Sequence, residues 1–241
     1  MSEFMEAYVH SFAIILPVLA VGIMMVGAAN AKLSMPKVTL VVVLAGTVFG
    51  LWYAAAMELS QEGMFRVPAS LQEAPLVLAF LFGGMLLVWA LAWLTPIGRQ
   101  ITLATPLSAI AAFQIPRIMG GVFLIGWLAG RIPLEFAIPA GLGDIWAGVA
   151  GYQASRALAA GAPNARRLLV RANLIGMGDI VLAVSLGIIT SEGMFQVLSH
   201  DAPNIINDYP LALFPAYFVP IFLGFHLMSI SRLWNARKQM A

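Results

Sequence analysis

Seven stretches of this chain are apolar for about twenty residues at a time, at roughly 10–29, 38–58, 75–95, 106–128, 133–154, 168–189 and 209–231. A hydrocarbon layer roughly 30 Å thick takes about 20 residues of helix to cross. Helix is also the economical way for so long a segment to satisfy its backbone in lipid. Of the 241 residues only 10% are charged, whereas a soluble domain carries roughly 25% and could not cover its surface with so few. The expectation is an all-α, polytopic membrane protein of about seven transmembrane helices, built as one transmembrane domain over 1–241 with membrane lipids as its surroundings. Segments four and five are joined by the tight turn Gly130-Arg131-Ile132-Pro133, and Pro116 and Pro139 are expected to kink them.

Lys and Arg in alternate loops set the orientation. One side holds Lys32, Lys37, Arg99, Arg156, Arg166, Arg167, Arg171, Arg232, Arg237 and Lys238, and the other only Arg66 and Arg131. The basic side is expected in the cytoplasm together with the C-terminus, which leaves the N-terminus outside; the reading is a bacterial inner-membrane protein. The basic residues are spread through short loops, so no nucleic-acid partner is expected. Glu3, Glu6, Glu58, Glu62, Glu73, Glu192, Asp201 and Asp208 fall on the outer side, where they form a solvated rim or draw cations to an outer mouth.

Two short motifs recur in the same order. Gly27-Ala28-Ala29-Asn30-Ala31-Lys32 returns as Gly161-Ala162-Pro163-Asn164-Ala165-Arg166, and Glu62-Gly63-Met64-Phe65 as Glu192-Gly193-Met194-Phe195. This predicts a 3+1+3 parallel repeat: unit one over about 10–95, a linker helix over about 106–128, and unit two over about 133–231. Parallel repeats occur in carriers that bind substrate between the halves near mid-membrane. The plan resembles that of the SWEET sugar carriers in architecture; the proline-glutamine signature of that superfamily is not at the expected places, so its sugar chemistry is not implied.

The deep ionisable residues are few. Arg117, Asp144 and Asp179 each lie within about one residue of the middle of segments four, five and six, roughly 1.5 Å of rise. Charge at that depth costs at least a few kcal/mol and is expected to face the bundle and find a partner. Asp144 shares its stripe with Ala140, Gly141, Gly148 and Gly151, and Asp179 shares its own with Ala172, Gly176 and Ala183, small residues that let helices approach closely. Gln114 and Gly121 give segment four a polar, small face beside Arg117. Convergence of the three charges can mean a salt-bridged tie between segments, or a substrate- or proton-binding site: one cation faces two carboxylates, and the second carboxylate needs a proton, a cation or another partner.

Gln114, Asn173 and His226 are further candidates, each readable as interhelical packing or as part of a solute and proton path. Trp52, Trp127 and Trp146 line a pocket or sit at the lipid interface. His10, His200 and His226 show no metal-ligand spacing, and segment seven has no lysine for a retinal Schiff base, so no metal and no cofactor is expected. No catalytic residue is singled out, and oligomeric state is left open.

Gly141-Leu142-Gly143-Asp144 and Gly176-Met177-Gly178-Asp179 are both G-x-G-D. This resembles the signature of presenilin-type and prepilin-peptidase intramembrane aspartyl proteases, and the resemblance implies two aspartates paired on neighbouring helices. Pro215-Ala216-Tyr217 is similar to the P-A-L element of those enzymes, although an aromatic usually precedes the first aspartate where glycine stands here. Arg117-x-x-Gly120-x-x-Phe123 and Ile132-Pro133-x-x-Phe136-Ala137-x-Pro139-Ala140-Gly141-x-Gly143-Asp144 resemble a family of small bacterial multipass proteins, which implies the fold and no particular activity. The functional expectation is a carrier for a small solute, proton-coupled through Asp144 and Asp179, with Arg117 as counter-ion or as anchor for an anionic group. An aspartyl-protease-like enzyme and a seven-helix sensor without transport are the alternatives.

Overall fold

The computed structural model describes the backbone of residues 2–238 and the side chains of 3–235. Arg237 and Lys238, counted above for topology, have side chains outside the described residues. In chain order the helices are α1 (Ser2–Asn30), α2 (Met35–Gln61), α3 (Leu76–Trp93), α4 (Pro96–Ala104), α5 (Leu107–Ala112), a 3-10 segment (Ile115–Gly121), α6 (Val122–Leu128), α7 (Leu134–Ala159) and α8 (Ala165–Thr190), then a π-helical turn (Phe214–Phe218) running into α9 (Val219–Lys238). Among the described residues there is no strand. Among the described residues, six spans are long and apolar enough to cross a membrane: Glu3–Asn30, Met35–Gln61, Leu76–Trp93, Leu107–Leu128, Ala165–Thr190 and Phe214–Asn235.

Helix α7 is as long as α8 but is diluted by Asp144, Glu135, Arg156 and its glycines. It runs antiparallel to α8 from end to end. Phe136 lies 3.7 Å from where a Gly187 side chain would start, Gly143 abuts Asp179, and Ala150 and Ala154 pack with Leu169 and Ala172.

Prolines shape the middle of the bundle. Pro116 opens the 3-10 segment, so the expected kink in segment four is a change of helix type. Pro139 stays inside an uninterrupted α7, where it forfeits only the bond to residue 135 near the helix start. The last segment begins at 214, five residues later than expected. Pro220 cannot donate to Ala216, and the Trp52 indole of α2 takes that carbonyl instead at 3.0 Å.

Helix α4, in a stretch read from sequence as a loop, carries a legible start signal. Thr95 caps it by accepting from the Gly98 amide at 3.0 Å, and Pro96 follows at the first helical position. Its far end is held by Arg232 of α9, which donates to the carbonyls of Thr102 at 2.6 Å and Thr105 at 2.7 Å, a favourable place for a cation at a helix C-terminus.

The layers differ in burial. In the apolar 18-residue window within Phe214–Asn235, 72% of residues are buried, against 11% in the corresponding window within Met35–Gln61. The last segment is therefore the axis of the bundle and α2 its rim. That explains why α9 tolerates His226, Ser229 and Arg232: a central helix faces protein on all sides, whereas a rim helix must face lipid. Phe113 stacks on Phe225 at 3.7 Å and tilts against Phe222 at 5.4 Å, joining α9 to the broken fourth segment.

The repeated tetrapeptides adopt different conformations. Gly63 is left-handed at φ 72° and Phe65 is buried, whereas Gly193 has φ 154° and Phe195 is exposed. The two loops instead touch, with the Met194 amide donating to Pro68 O at 3.1 Å.

Helices α3 and α9 pack extensively, and a side chain on Gly224 would run into Val88. Gly22 of α1, by contrast, faces open space. Overpacking costs about 1–3 kcal/mol, so Gly224→Leu is expected to lower the thermal midpoint of the detergent-solubilised protein, with Gly22→Leu unchanged. Equal midpoints would refute this packing.

Candidate functional site

The site is assembled on the glycine face of α7. Side chains on Gly148 and Gly151 would meet Ile115 O at 3.0 Å and Ala111 O at 3.1 Å. Small residues there let the 3-10 segment lie directly on α7, and Arg117 projects from that segment into the α7–α8 seam.

Arg117 is 1% exposed. Its Nε donates to Asp144 Oδ1 at 2.8 Å, Nη2 donates to Asp179 Oδ2 and lies 2.8 Å from Asp144 Oδ1, and Nη1 donates to the Gly176 carbonyl at 2.8 Å. The carboxyl groups of Asp144 and Asp179 also lie within hydrogen-bonding reach of each other. The three charges therefore converge, as their matching depth implied. Asp179 Oδ1 has no protein partner.

Three glycines make room for this cluster. A side chain on Gly120 would strike Asp144 Oδ2, one on Gly143 would strike Asp179 Oδ1, and one on Gly176 would strike His226 Nε2 and Arg117 Nη1. Gly178 touches nothing within 4 Å. The second glycine of the two G-x-G-D motifs thus has a role in α7 that it lacks in α8.

Toward the α9 side of Gly176 lies a second polar layer containing Gln114, Asn173 and His226. Asn173 Nδ2 donates to Leu169 O at 3.0 Å and to Ser229 Oγ at 2.9 Å, which turns its oxygen to His226 Nδ1 at 2.9 Å. Nδ1 therefore carries the imidazole proton and Nε2 is an acceptor. Gln114 Nε2 donates to Phe222 O at 3.2 Å. Gln114 Oε1 and His226 Nε2 have no protein partner, and a pocket of about 10 Å³ lies between these residues, close to the size of one water. Trp127 and Trp146 are surface residues, and Trp52 serves the Pro220 break.

A larger cavity of about 70 Å³ reaches the charged cluster from the other side. Its floor is Arg117, Asp144 and Asp179; its walls include Val77, Leu81, Phe123, Ile180, Val184 and Phe214; its mouth is at Val67, Ile206 and Asn207. It follows α8 from Asp179 to Ile188, roughly 13 Å along the helix at 1.5 Å per residue, so it opens on the face where α1 begins. Asp144, with 19% of its side chain exposed, is the open member of the cluster. The walls from α3 and the 206–219 stretch carry no sequence signal that separates them from lipid-facing residues.

The family described as a domain of unknown function, DUF8737, matches residues 74–234. The chain belongs to this family. The match spans α3 to α9, and so includes the Arg117–Asp144–Asp179 cluster, the Gln114–Asn173–His226 layer and every cavity wall except Val67, leaving α1 and α2 outside. No curated protein and no solved structure matches the chain significantly. The likenesses to SWEET carriers and aspartyl proteases thus have no named relative behind them.

Removing one partner of a buried ion pair costs about 3–5 kcal/mol, so Arg117→Met is expected to destabilise this DUF8737 protein strongly in a thermal melt. Gly143→Ala, which pushes on Asp179, is expected to lower the midpoint clearly, and Gly178→Ala to leave it unchanged. If the two alanine variants melt alike, the seam described for Asp179 is wrong.

Proposed function

We propose that this DUF8737 protein is a multipass membrane carrier for a small solute, proton-coupled through Asp144 and Asp179. The reading includes α7 as a seventh span, a single transmembrane domain, the 3+1+3 plan, and a bacterial inner-membrane location with the N-terminus outside. The orientation rests on the ten-to-two distribution of Lys and Arg across alternate loops.

The observation that carries it is a vestibule ending on a charge imbalance. With both carboxyls ionised, Arg117, Asp144 and Asp179 sum to one negative charge in a low-dielectric interior. One proton, or one monovalent cation, makes the cluster neutral. A site whose neutrality depends on what the open face delivers can load from that face. Behind it, the Gln114–Asn173–His226 layer and α9 close the path, as alternating access requires of one side at a time.

Arg117 weighs against the protease alternative. The resemblance implies two aspartates that face each other as a dyad, whereas here a guanidinium is bonded to one oxygen of each. The sensor alternative differs from the carrier only in lacking movement of solute, and flux separates the two.

Proteoliposomes containing a pH-sensitive dye are challenged in turn with an alkylamine, a carboxylate, a sugar and an alcohol. One class is expected to drive a pH change about tenfold faster than in empty liposomes, and Asp144→Asn and Asp179→Asn each to abolish it while remaining folded. No protein-dependent movement of any class, or flux unchanged in both variants, would end the carrier reading.

A further inference from the structure

We infer that the vestibule binds a small primary alkylammonium ion, one positive charge on an apolar chain, in exchange for a proton. This rests on reading the charged cluster as a loading site, and it names what the site loads.

Charge and hydrogen bonding both disfavour an anion. Arg117 has five N–H donors. One on Nε goes to Asp144, one on Nη2 to Asp179, and one on Nη1 to Gly176 O. Nη1 lies with His226 Nε2 against Gly176, on the side away from the vestibule. Each guanidinium nitrogen is thus already engaged, and the two carboxylates bonded to it repel a carboxylate or phosphate, so Arg117 is a counter-ion and not an anion anchor.

What the floor offers is acceptors. Asp144 and Asp179 both line the cavity; Asp144 keeps 19% of its side chain exposed, whereas Asp179 Oδ1 is buried against Gly143. A ligand there must donate hydrogen bonds and bring positive charge. A metal cation is a poor match, because it takes six or more oxygen ligands and the walls are Val77, Leu81, Phe123, Ile180, Val184 and Phe214. An ammonium group with a hydrocarbon tail satisfies both surfaces: its N–H groups meet the carboxylates and its chain meets the walls. At roughly 10–15 Å³ per water on the same scale, the cavity holds about five waters' worth, suited to a chain of about four carbons.

The exchange balances. The empty cluster holds one proton shared by Asp144 and Asp179; binding RNH3⁺ leaves both as carboxylates and releases that proton to the vestibule. No bond other than O–H breaks. The titratable and charged groups around the pair are Arg117 from the 3-10 segment, His226 from α9 and Tyr8 from α1, whose hydroxyl is committed to Met119 O at 2.9 Å. The acidic residues on the same face favour approach of a cation to the mouth.

The test is calorimetric titration of the full chain in detergent with n-butylammonium chloride, in two buffers of different ionisation enthalpy. n-Butanol, sodium butyrate and sodium chloride serve as comparators. The expected result is binding about tenfold or more tighter than any comparator, with about one proton released and an apparent Kd rising about tenfold per unit fall in pH. Asp179→Asn is expected to remove the proton release and weaken binding about tenfold or more. Val184→Trp, which fills the cavity without touching a charge, is expected to abolish binding with the melting midpoint preserved. No binding, binding without proton release, or equal binding of butanol or butyrate would overturn the inference. Flux of a carboxylate or sugar in the liposome assay without butylammonium binding would sink this inference and leave the carrier standing. Butylammonium binding with proton release but no flux would do the reverse.

Discussion

A guanidinium held in the middle of an apolar bundle sets the terms for everything packed around it. Arg117 is 1% exposed, so its charge must be met by protein, and it is met by Asp144, Asp179 and the Gly176 carbonyl. Bringing two carboxylates and a backbone carbonyl to one planar group requires three segments to approach within side-chain reach. Gly120, Gly143 and Gly176 permit that approach because the volume of their absent side chains is occupied by the charged groups and His226. The 3-10 segment belongs to the same arrangement, since it lies flat on α7 and directs Arg117 into the seam.

The cluster divides the molecule into two unlike halves. On one side an apolar-walled vestibule brings solvent-sized space to the carboxylates. On the other, Gln114, just before the 3-10 segment, and Asn173, His226 and Ser229 of α8 and α9 hydrogen-bond across the bundle and leave room for no more than about one water. Polar residues inside a membrane bundle are costly wherever they sit. Here the charged cluster and the Gln114–Asn173–His226 layer meet at Gly176, while α2 and α3 present apolar faces outward.

Much of this was legible in the sequence. Long apolar runs correctly marked the helices, because a backbone in lipid has few alternatives. Equal depth of Arg117, Asp144 and Asp179 announced their meeting, because desolvated charges must pair. Helix α4 could have been found from Thr95-Pro96, a cap followed by a first-turn proline, but its short length hid it. The wall residues Val77, Leu81 and Phe214 could not have been found: in lipid-exposed and cavity-facing positions alike the favoured side chains are apolar. The repeated tetrapeptide misleads locally, because tertiary contacts gave its two copies different backbones and different burial.

By itself, then, the sequence determined that this chain is all-helical, where its apolar segments lie and which three ionisable groups must be reconciled, since those follow from solvation and helix rise alone. Only the tertiary structure decided that Arg117 spends its donors on both aspartates and Gly176, that the vestibule opens on the face where α1 begins, and that α9 is the buried axis. Those depend on which side of each helix turns inward and on volumes left between helices, quantities that arise from packing many segments together and are written in no single one of them.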